Sequence, residues 1–145
     1  MTNSPGRAAD RGLVLLAHGA RDPIWATPFE AVAARVRERA PAARVRLAFL
    51  ELMEPGLDEA ADALVAEGCV RIDIVPVFLG MGGHVRRDVP AQLDQLRARH
   101  PAIAWTLHPA LGETAHVVAA LADSALALSG LGIAHGHHPQ DGTAT

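Results

Sequence analysis

"VRIDIVPVFLGMGGHVRR", Val70 to Arg87, decides how this chain is read. Its first ten residues are an apolar run, interrupted by Arg71 and Asp73, that reads as a strand. Pro76 has no N–H to give a central ladder, so regular pairing is expected to end there. Gly80, Gly82 and Gly83 then turn the chain. A helix is expected from about Arg86 to His100, with Val89, Leu93 and Leu96 on one side. Strand, glycine turn and helix together make half of a βαβ unit, and such units build parallel sheets.

The same unit repeats in both directions. Upstream, "GLVLLA" (Gly12 to Ala17) is a short buried strand. It is followed by a helical stripe of Trp25, Phe29, Val32 and Val36. "RVRLAFL" (Arg44 to Leu50) is a second strand. Pro55 opens a helix carrying Leu57, Ala61, Leu64 and Val65, and Gly68 fits its stop. Downstream, "AIAWTLH" (Ala102 to His108) is a fourth strand, and a last helix covers about Glu113 to Leu128. The expected fold class is α/β: a single three-layer, flavodoxin-like domain with a four-stranded parallel sheet, order 2-1-3-4, and helices on both faces. Residues 12–129 make this domain. Residues 1–11 read as a disordered N-terminus, and 130–145 as a flexible tail holding His135, His137 and His138.

Composition narrows the function. Half of the 145 residues are apolar, enough for a core, and 13 basic against 16 acidic residues leave a net charge of −3. No basic field exists to support broad nucleic-acid binding. Cys69 is the single cysteine, which excludes an internal disulfide framework and suits a reducing compartment. No segment is apolar for long enough to read as a signal or a membrane span, so a soluble cytoplasmic domain is expected.

In open parallel sheets, ligands bind at the carboxyl ends of the strands, near the switch in connection direction. His18 follows the first strand, Glu51 the second and His84 the third. In the order 2-1-3 these strands are neighbours, so the three side chains can converge on one rim. Two imidazoles and a carboxylate are a ligand set for a divalent transition metal with positions left open. Each residue alone has a plainer role, as a solvent-exposed histidine or a helix-terminal carboxylate.

The glycines let a backbone approach a ligand closely. Arg86 and Arg87 stand at a helix start, where the dipole disfavours cations, so an anionic partner is expected for them; pairing with Asp88 or Glu54 is the alternative. Arg21 reads similarly, with Asp22 as its alternative partner. Met53 and Met81 flank the rim as soft contacts or gap fillers. His100 falls at a helix C-terminus and reads as structural. His108 could flank the site, His116 on the last helix faces solvent or a partner, and Cys69 belongs in the core.

"LLAHGARD", "FLELMEPGLDEA" and "VPVFLGMGGHVRRDVP" together resemble the small, single-module sirohydrochlorin chelatases, the cobaltochelatase and ferrochelatase members of the class II tetrapyrrole chelatases. The resemblance runs from about Gly12 to Leu128. It implies a chelatase-like domain whose His18, Glu51 and His84 handle the metal, a homodimer, and insertion of Co(II), Fe(II) or a similar ion into a sirohydrochlorin-like tetrapyrrole. Ala20 stands where many members have serine. The metal is then a substrate, with no organic cofactor and no nucleic-acid or membrane partner.

On this reading His18 and His84 bind the incoming ion and accept pyrrole protons, a task suited to imidazole, which titrates at about 6.5. Glu51 is a third ligand or orients a histidine. Arg21, Arg86 and Arg87 meet substrate carboxylates with help from the backbone of Gly82 and Gly83. A non-catalytic metal or tetrapyrrole carrier would use the same residues. A histidine phosphatase is disfavoured, because Ala17 precedes His18 where that chemistry needs an arginine.

Overall fold

A computed structural model describes residues 7–132. Four parallel strands form one sheet in the order β2-β1-β3-β4, as the alternation of apolar runs predicts. They are β1 (Arg11–Ala17), β2 (Arg44–Phe49), β3 (Arg71–Pro76) and β4 (Ala104–Leu107). The helices are α1 (Thr27–Arg39), α2 (Leu57–Ala66), α3 (Gly83–Arg99) and α4 (Ala115–Ser129). The chain divides between Thr114 and Ala115 into two units, the first holding the sheet with α1, α2 and α3, the second holding α4. Short 3-10 turns at Ala8–Asp10 and Pro23–Ala26 precede β1 and α1, and the first falls within residues 1–11, the N-terminus expected to be disordered. His135, His137 and His138 lie outside the described residues.

The period of two along each strand sorts side chains onto two faces. Val14, Leu16, Ala48, Ile72 and Ile74 point to one side, where they pack with Leu57, Ala60, Ala61 and Leu64 of α2 and Val89, Leu93 and Leu96 of α3. Leu15 and Val45 point to the other, against Ala33 of α1. Each fully buried Leu or Ile contributes about 1.5–3 kcal/mol relative to an exposed one. Cys69 sits in the larger core as expected, and burial pushes its thiol up. β3 ends at Pro76, where the missing N–H stops the ladder.

Two readings shift. The stripe of α1 runs through Phe29, Ala33 and Val36, while Val32 is 41% exposed. Spacings of three and four from Phe29 both fit a helical face, and the small Ala33 is the residue that seats against the sheet. The start of α3 lies three residues before the expected Arg86. Gly82 is its extended N-cap, and Arg86 N–H donates to Gly82 C=O at 3.0 Å. His84 is therefore a helix residue, not a loop residue.

Candidate active site

The loops leaving the carboxyl ends of β1, β2 and β3 are joined by their backbones. The β1–β2 ladder continues past both strands: Leu50 N–H donates to Ala17 C=O at 2.9 Å, and Glu51 N–H donates to His18 C=O at 3.1 Å. Since Ala17 lies opposite Phe49, Gly19 lies against Glu51. Gly19 has φ +96°, and a Cβ there would stand 1.8 Å from the Glu51 carbonyl oxygen. From β3, Val77 N–H reaches Leu16 C=O at 2.8 Å, and the Phe78 ring lies 4.3 Å from the His18 ring, tilted by 32°. The backbone of Leu79 is pinned in turn by Gly112, whose added Cβ would lie 1.9 Å from the Leu79 oxygen.

These constraints bring the sequence-predicted trio together. His18, Glu51 and His84 line one cavity of about 300 Å³. Leu50 and Val85 supply apolar wall, while Asp88 and Gln92 complete it. His84 Nε2 is 2.9 Å from Asp88 Oδ2, one helical turn on. In the sequence Asp88 reads only as a partner for an arginine, and Gln92 carries no signal of its own. The spacing of 84, 88 and 92 is a helical stripe, but it is visible only once α3 is known to begin at Gly83. Among the described residues no three of His, Cys, Asp and Glu already form a metal-binding group. The donors instead surround open space, two borderline imidazoles and two hard carboxylates.

The three arginines lie outside that lining. Arg86 pairs with Glu113 at 3.2 Å, and its Nε donates to Met81 C=O at 2.9 Å. Arg87 Nε donates to Gly83 C=O at 3.3 Å. Arg21 is exposed, and Asp22 caps the 3-10 turn by accepting from Ile24 N–H at 3.0 Å. A Cβ at Gly80, Gly82 or Gly83 would meet nothing within 4 Å, so no contact within the fold requires glycine there.

His108 does not join the cavity. Its Nε2 is 2.8 Å from Asp73 Oδ1, and Arg11 holds the other oxygen at 3.2 Å. Burial alone would raise the Asp73 carboxyl, but the bonds from His108 and Arg11 outweigh it and hold the group below its usual value. His100 is structural, as expected: it caps α3 and meets Asp62 at 2.7 Å.

The sequence profile described as CbiX matches residues 12–127. A sirohydrochlorin cobaltochelatase of Methanococcus aeolicus is 38% identical over 78 residues, covering 54% of this chain and 54% of that protein. The chain thus spans about half the length of this relative. Among solved structures, a cobalamin biosynthesis CbiX protein of Marinobacter aquaeolei VT8 superposes with TM-score 0.73 at 31% identity, covering 83% of this chain and 98% of that one. The sirohydrochlorin chelatase SirB of Bacillus subtilis subspecies spizizenii, in complex with cobalt, gives TM-score 0.58 at 26% identity, covering 68% and 43%.

Proposed function

Because the chain belongs to the CbiX family, we propose that it inserts a divalent metal ion, Co(II) or Fe(II), into sirohydrochlorin or a related tetrapyrrole of cobalamin or sirohaem biosynthesis. The observation that carries this is that His18, Glu51 and His84, delivered from the ends of three neighbouring strands, line one shared cavity. Residues 12–129 act as the functional module. A reducing cytoplasm suits the one buried thiol.

Insertion exchanges one divalent ion for two pyrrole N–H protons, so charge balances only if those protons find acceptors. His18 and His84 each bind the ion through one basic ring nitrogen and, as the ion passes to the macrocycle, take up one pyrrole proton on the nitrogen it vacates; Glu51 is the third donor. Asp88 steadies the His84 ring through Nε2. A donor set spread around open space releases an ion more readily than a closed cage does, which supports transfer over storage. Arg21, Arg86 and Arg87, with the N–H groups at the start of α3, meet the substrate's carboxylates. The ion is a substrate, and no organic cofactor is required.

A second copy completes the working form. In α4, Val118, Leu121 and Leu128 are 53%, 48% and 90% exposed. Spacings of three and seven put them on one face. Such an exposed apolar stripe supports a homodimer.

The direct test is chelatase activity with sirohydrochlorin and Co(II), Fe(II) or Ni(II). His18→Ala and His84→Ala lose about 10²–10⁴-fold in rate, the range for a removed general base. Near-wild-type turnover in both folded variants rejects the assignment.

A further inference from the structure

Leu52 is the one non-glycine among the described residues with a positive φ, +63°. It is also 60% exposed. The left-handed region favours glycine, and water disfavours a bare leucine, so the position is unfavourable on two independent counts. Neither is an accident of a loose loop. Glu51 C=O accepts from Met53 N–H at 2.8 Å, closing a tight turn with Leu52 at its apex, and Glu51 N–H is held by His18.

Two other large apolar side chains share this situation. Leu79, after β3, is 71% exposed although Gly112 packs against its backbone. Ile24, after β1, is 76% exposed although Asp22 caps its N–H. The remaining exposed large hydrophobics of the sheet unit, Val32 and Val70, lie elsewhere, on α1 and before β3. Three pinned backbones therefore hold three apolar side chains in solvent on the segments that follow the carboxyl ends of β1, β2 and β3, the segments that also carry Arg21, Arg86 and Arg87.

We propose that Leu52, Leu79 and Ile24 form an apolar platform for the flat face of the substrate macrocycle, and that Leu52 is a specificity-determining residue held in its strained turn to make that contact. The occupant is a planar conjugated ring edged with carboxylates: the ring lies on the apolar chains and the carboxylates reach the cations around them. This rests on the chelatase reading above and adds the binding surface to it.

Leu52→Gly separates the contact from the fold, because glycine suits the turn. Its melting temperature stays at or above that of the wild type. Its KM for sirohydrochlorin rises on the order of tenfold, the scale of a lost apolar contact, with kcat nearly unchanged. Co(II) binding without tetrapyrrole is unchanged, and Leu52→Met restores KM. A wild-type KM in folded Leu52→Gly overturns the platform alone. A wild-type protein that neither binds nor metallates sirohydrochlorin overturns the chelatase reading and the platform with it.

Discussion

At Gly19 the backbone has φ +96°, and the Glu51 carbonyl oxygen fills the space a Cβ would need. Two separate penalties meet in one residue: a left-handed backbone and a direct overlap with a neighbouring main chain. Gly82 offers the contrast, with φ −66° and no atom within 4 Å of an added Cβ. Gly19→Ala is therefore expected to cost about 2 kcal/mol or more and to displace His18 from Glu51, abolishing the proposed metal insertion. Gly82→Ala should stay within about 0.5–1 kcal/mol of wild type. Urea denaturation of the two variants checks the ranking. Both glycines stand in similar-looking loops, so sequence flagged the second and passed over the first. The difference is a contact between residues 32 positions apart, which local chemistry does not announce.

Between elements, polar ties sit at the surface of the apolar core. Asp62 of α2 accepts from Arg99 of α3 at 2.8 and 3.0 Å and meets His100 at 2.7 Å, while Asp73 joins β3 to Arg11 of β1 and to His108. Burial raises the Asp62 carboxyl, but Arg99 and His100 outweigh it, and the group is held below its model-peptide value of 3.8; Asp73 is likewise lowered. A carboxyl whose folded value is depressed contributes stability that is present above the unfolded value and is lost as pH falls through the folded one. Stability should thus decline below about pH 4, and Asp73→Asn should flatten that decline. Melting temperatures between pH 3 and 6 test it; equal slopes for wild type and variant would remove Asp73 from the account. Strand positions and the Leu57, Leu64, Val89, Leu93 and Leu96 faces were legible from periodicity. The start of α3 was not, because glycine is a poor helix former in the interior yet is tolerated at the first position.

For the whole molecule, the apolar stripe of α4 leads to an association prediction. The wild-type protein should sediment as a dimer, and Leu121→Glu should shift it to monomer by placing a charge on the stripe. A monomeric wild type removes the homodimer from the proposal.

The order of apolar runs and turns determined the parallel α/β fold, and residue type at strand ends singled out His18, Glu51 and His84. Both are local properties: periodicity of two or 3.6, and chemistry at a boundary. Tertiary structure alone decided that these side chains share one cavity, that Asp88 steadies His84, that Gly19 admits no side chain, and that Leu52 stands strained and exposed. Each depends on backbone conformation and on neighbours distant in the chain, set by the joint packing of three loops, which no single segment encodes.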